Sequence, residues 1–99
     1  MKKILIVDDI ESIRESLNSI IQSLGLESLS AANGEDALEI FGENTDEISL
    51  IILDVEMPIM DGIEFLKVFG DFAKKVPVII CSARHQFEVI EEAISLGAV

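Results

Sequence analysis

The chain has 99 residues, 49% of them apolar, with 7 basic against 19 acidic side chains and a formal net charge of −12. That size fits one small domain, and the apolar share gives it enough to bury, so an acidic disordered tail is excluded. No basic stripe exists to neutralise phosphates, which argues against direct nucleic-acid binding and against an anionic membrane surface.

No apolar run approaches the roughly 18 residues of a membrane span. Met1-Lys2-Lys3 is followed by only Ile4-Leu5-Ile6-Val7 before Asp8, too short for the core of a signal peptide. The single cysteine, Cys81, sits in an apolar run. It reads as a small buried hydrophobe in a reducing, cytoplasmic setting.

In chain order, the first apolar run, Ile4 to Val7, predicts a strand buried on both faces. Ile10, Ile13, Leu17, Ile20, Ile21 and Leu24 then keep the spacing of one helical face, and Gly25 stands where a C-cap belongs. Leu26 to Ala32 is interrupted by Glu27, Ser28 and Ser30, as in an edge strand. Asn33-Gly34 predicts a turn into a helix over Glu35 to Glu43, with Ala37, Leu38 and Phe41 facing inward. Leu50 to Leu53 predicts a third strand and Ile63 to Phe72 a third helix, carrying Phe65, Leu66, Phe69 and Phe72. Pro77 precedes a fourth strand over Val78 to Cys81, at a position where its missing N–H is tolerated. Phe87 to Leu96 predicts a fourth helix, stopped at Gly97. The strand-and-crossover period of about 24 residues predicts an α/β fold with a parallel sheet.

Two of the buried strands run into carboxylates, the first into Asp8-Asp9 and the third into Asp54. Ligands bind beyond the carboxyl ends of parallel strands, where strand order reverses. If strands one and three are neighbours, these acids converge, and strand two falls outside strand one in the order 2-1-3-4. Three carboxylates in one crevice repel one another, and a hard divalent cation relieves the repulsion. An oxygen-only donor set suits Mg²⁺. The competing reading is that these acids cap helices or line a solvated rim, Asp9 as the cap of the helix opening near Ile10. Met57-Pro58 and Asp61-Gly62 frame a tight turn after Asp54, and Ser82 ends the fourth strand with a hydroxyl able to donate to an anionic group on Asp54.

These residues together resemble the response-regulator receiver domain, the module phosphorylated in bacterial two-component signalling. The resemblance rests on Ile4 to Asp9, Leu50 to Asp54, Met57-Pro58, Asp61-Gly62, Pro77 to Ala83 and Gly97-Ala98, and spans the chain. It implies the flavodoxin-like three-layer sandwich of that family. It also implies that Asp54 accepts a phosphoryl group from a sensor histidine kinase or phosphotransfer protein. Asp9, Asp54 and the backbone carbonyl of Glu56 would be direct Mg²⁺ ligands, with Asp8 holding the metal through water. Ser82 would be the switch hydroxyl. Glu56 and Arg84 match two variable positions that tune phosphoryl lifetime. The family's fifth strand, with its Lys, and its fifth helix would fall after Val99, so residues 1–99 read as a receiver domain incomplete at the C-terminus.

Without those elements the first helix stands alone on its sheet face and the fourth strand is an edge. Self-association through that edge, the bare face, or both is therefore expected. Two other readings compete. One is a degenerate receiver kept as a docking or dimerisation piece. The other is a small Asp-nucleophile phosphatase, with Glu56 two residues beyond Asp54 as its second acid. Hydrolysis of small phosphate monoesters would mark the phosphatase. His85, the one histidine, is placed in the loop before the fourth helix, away from any phosphorelay bundle.

Overall fold

The computed structural model describes residues 3–54, 57, 59–70 and 76–80. Its elements are β1 (Lys3–Val7), α1 (Glu11–Ser23), β2 (Glu27–Ala31), α2 (Gly34–Glu43), β3 (Ile48–Leu53), α3 (Gly62–Phe69) and β4 (Val78–Ile80). The strands form one parallel sheet in the order β2-β1-β3-β4. The fourth helix expected over Phe87 to Leu96 and the position of Cys81 lie outside the described residues. Among the described residues no helix is long and apolar enough to cross a membrane.

Alternation along the central strands sorts the side chains between two faces. Leu5 and Val7 of β1, Ile51 and Leu53 of β3, and Val78 of β4 point to one side and are fully buried. There they meet Ala37 and Phe41 of α2 and Phe65, Leu66 and Phe69 of α3 in the main core. The Phe69 ring stands edge-on to Phe41 at 4.9 Å between centroids and stacks on Phe65 at 5.2 Å. On the opposite face Ile6, Ile52 and Ile79 lie in register. α1 packs over β1 and β2, so Ile6 is fully buried while Ile79, two strands away, is 41% exposed.

Several boundaries differ from the expected ones for local reasons. β3 begins at Ile48, before the apolar run, because a bulge after Lys3 skips Ser49 and pairs Lys3 with Ile48 but Ile4 with Leu50. Lys3 also donates its backbone N–H to the Glu47 carbonyl at 2.6 Å, and its Nζ lies 2.9 Å from the Glu47 carboxylate. α2 starts at Gly34, which is its first helical residue and not part of a preceding turn. Asn33 is the cap, its Oδ1 accepting the Asp36 N–H at 2.8 Å. α3 ends at Phe69, followed by Gly70 at φ +51°. The expected end at Phe72 lies outside the described residues.

Candidate functional site

The acidic site forms because the sheet ladder stops where the carboxylates begin. The Asp54 N–H donates to the Val7 carbonyl at 2.8 Å, and the Asp8 N–H donates to the Ala31 carbonyl at 3.1 Å. These bonds tie Asp54 to β1 and Asp8 to β2, at the carboxyl ends of adjacent strands, in the crevice where strand order reverses. Carboxylate oxygens of Asp8, Asp9 and Asp54 all lie within 4.8 Å of one another. Asp8 is 4% exposed and Asp54 7% exposed. Buried carboxylates at this separation are costly unless a proton, a donor or a cation compensates them.

The compensation differs among the three. Asp8 Oδ1 accepts the Ile10 N–H at 2.9 Å. Burial pushes the Asp8 carboxyl above its ordinary range. The Ile10 bond pulls it down, the neighbouring Asp9 charge raises it further, and Arg14 lowers it. Asp9 was the alternative candidate for capping the first helix, and the geometry corrects that reading. Ile10 is the N-cap residue of α1, with no side-chain cap bond. Asp9 instead joins the cluster, and its Oδ1 is buried with no hydrogen-bond partner among the described residues. A buried orphan oxygen beside two further carboxylates is the donor set a hard cation satisfies, and these residues fit Mg²⁺.

Two neighbours of the site were not evident from motif spacing. Arg14, in the first turns of α1, donates from Nη1 to the Asp8 backbone carbonyl at 2.6 Å and so clamps the β1–α1 junction. Its position one helical turn beyond Ile10, whose carbonyl accepts the Arg14 N–H at 3.1 Å, is the signal that could have found it. Gly34 is the other. Its N–H donates to the Met60 carbonyl at 2.9 Å and joins the start of α2 to the loop after Asp54. That loop ends in a capping box in which the Asp61 carboxylate accepts the Glu64 N–H and the Glu64 carboxylate accepts the Asp61 N–H. Glu56, Ser82, Arg84 and His85 lie outside the described residues.

The family profile described as response regulator receiver domain matches residues 4–99. Sporulation initiation phosphotransferase F of Bacillus subtilis is 40% identical over 98 residues, which cover 99% of this chain and 77% of that protein. The regulator of RpoS of Escherichia coli is 38% identical over 96 residues, covering 97% of this chain but only 28% of that longer protein. Among solved structures, one from the CheX–CheY–BeF3–Mg²⁺ complex of Borrelia burgdorferi superposes with a TM-score of 0.90 at 33% identity, covering 98% of this chain and 73% of that one. Receiver domains of this kind are signalling modules that bind Mg²⁺ at an acidic pocket. The order β2-β1-β3-β4 and the acidic crevice agree with those matches, and the chain belongs to the response regulator receiver domain family of two-component signal transduction.

Proposed function

We propose that Asp54 is the phosphoacceptor and that Asp8, Asp9 and Asp54, with the backbone carbonyl of Glu56, hold Mg²⁺ around it. The observation that carries this reading is the trio of carboxylates within 4.8 Å, one of whose buried oxygens has no partner among the described residues. The donor is a phosphohistidine on a sensor kinase or phosphotransfer protein, in the cytoplasm. An Asp54 carboxylate oxygen attacks phosphorus, forming the acyl O–P bond. The P–N bond breaks opposite it, and its electron pair returns to the imidazole, which takes a proton from water. Such a transfer needs placement and charge neutralisation more than acid–base help. Mg²⁺, when bound, offsets the negative charge shared by the carboxylates and the phosphoryl oxygens. Asp8 and Arg14 set the junction that aims the cluster, and the Val7 carbonyl fixes the Asp54 backbone.

The family motif supports the remaining assignments. Ser82 donates its hydroxyl to the phosphoryl group as the switch, and Glu56 and Arg84 tune how long the group lasts. The 99-residue chain further self-associates through β4 or the face flanked by α1. On that side Ile52 is only half-buried and Ile79 is 41% exposed.

Intact mass after incubation with acetyl phosphate, with and without Mg²⁺, tests the central assignment. A Mg²⁺-dependent gain of one phosphoryl group, lost in Asp54→Asn, is expected. No gain in a folded chain would favour the docking module. Steady release of phosphate from small monoesters would favour the phosphatase.

A further inference from the structure

We infer that Gly34, which meets the connection between β3 and α3 at Met60, is a positioning residue for the acceptor site. It holds Met60, and through it the end of the connection that leads from Asp54 into α3. The inference rests on the proposed role of Asp54 and adds a residue outside the acidic cluster.

The contact leaves no room for a side chain. A Cβ at Gly34 would stand 2.8 Å from both Met60 Cγ and the Met60 carbonyl oxygen, and 3.1 Å from Met60 Cβ. Gly34 has no positive φ, so its need is for close approach and not for backbone freedom. Its N–H, one of the donors a helix start normally leaves to solvent, bonds the Met60 carbonyl at 2.9 Å.

The loop at that point is under strain. Ile59, immediately before Met60, has φ +69° although it is not glycine, and the residue is 74% exposed. Its side chain is therefore not what holds the conformation. An unfavourable backbone of this kind persists only when its surroundings over-determine it. Three ties do so here. The Asp54 N–H is fixed to Val7, the Asp61–Glu64 capping box fixes the far end, and Gly34 fixes Met60, the residue next to that box. Gly34 is in turn backed by the Asn33 cap and by α2 packed into the core. A methyl group at position 34 therefore displaces the loop, the side of the contact outside regular secondary structure. Met60 lies six residues beyond Asp54 in the connection between β3 and α3, and a shift at Met60 is inferred to be carried along that connection to the carboxylate.

Gly42 supplies the control. It lies in the same helix, and a Cβ there would meet nothing within 4 Å. Gly34→Ala and Gly42→Ala make the same chemical change in one helix, and only the first should touch the site.

The test compares the wild type, Gly34→Ala and Gly42→Ala for Mg²⁺ affinity by calorimetry and for the initial rate of labelling by acetyl phosphate. Unfolding transitions identify the folded fraction. Gly34→Ala is expected to lose roughly 10- to 100-fold in Mg²⁺-dependent labelling, the scale of effect that a misplacement of about 1 Å produces, while Gly42→Ala matches the wild type. Equal labelling and equal Mg²⁺ affinity in folded Gly34→Ala would overturn the inference. Should Gly34→Ala not fold, hydrogen exchange at the Gly34 amide of the wild type decides. Protection that rises with Mg²⁺ is expected, and exchange indifferent to Mg²⁺ would overturn it. A wild type that is not labelled on Asp54 would instead refute the acceptor assignment, and the same exchange measurement would still judge Gly34.

Discussion

Asp8 shows how this protein balances a site against its own stability. The residue is buried beside Asp9, and burial first, then the Asp9 charge, raises its carboxyl above the ordinary range against the pull of Ile10 and Arg14. A carboxyl raised by folding binds its proton more tightly in the folded state. Its stabilising share is therefore complete at low pH, below the unfolded value, and is lost as pH rises through the raised folded value. In metal-free protein, Asp8→Asn should keep an acceptor for the Ile10 N–H while removing one charge from the cluster. Relief of about 1 kcal/mol, the scale of one like-charge contact in water, would raise Tm by roughly 4–8 °C at neutral pH. The same variant should show a flatter fall in stability with rising pH and a weaker stabilisation by Mg²⁺. Thermal melts in chelator and in Mg²⁺ across pH check this, and a lower metal-free Tm for Asp8→Asn would contradict it. The three acids could be read from the sequence because Asp8-Asp9 and Asp54 stand at the ends of apolar runs. Gly34 could not, because its role lies in contact with a backbone carbonyl, and Arg14 is hinted at only by its place one helical turn beyond Ile10.

At the scale of elements, each helix near the site starts differently, and this decides how firmly its end is held. α2 is capped by Asn33 and α3 by the Asp61–Glu64 box, whereas α1 has no side-chain cap and relies on Asp8 accepting the Ile10 N–H. Asp61→Ala removes an N-cap acceptor and should cost about 0.5–2 kcal/mol in chemical denaturation. It should also loosen the loop that Gly34 grips, so a drop in Mg²⁺ affinity is expected alongside. Unchanged stability would mean that the capping box contributes nothing. The helix patterns and the Asp61-Gly62 pair made these elements legible, as did the continuous apolar runs of β1 and β3. The early start of β3 was hidden because Ser49 falls at a bulge, where the sheet alternation breaks. The start of α2 at Gly34 was hidden because glycine before a helical pattern reads as a turn until its partner Met60 is seen.

For the molecule as a whole, the order β2-β1-β3-β4 does two things. It brings the carboxyl ends of β1 and β3 together, making the acidic crevice, and among the described residues it divides the helices unequally between the faces. α2 and α3 bury Leu5, Val7, Ile51, Leu53 and Val78, while the face under α1 leaves Ile79 substantially exposed. Both features follow from the alternation of apolar runs with helical patterns together with right-handed crossovers. If the exposed face or the β4 edge recruits a second copy, sedimentation of the 99-residue chain at high micromolar concentration should show a dimer that dissociates on dilution. A folded, strictly monomeric species there would sink that proposal.

The most direct test of the acceptor assignment is to locate the phosphoryl group. Borohydride reduction of protein labelled in Mg²⁺ converts an aspartyl phosphate to homoserine, and peptide masses identify the altered position. Homoserine is expected at position 54. Homoserine at position 8 or 9, or none in protein that carries the label, would contradict it.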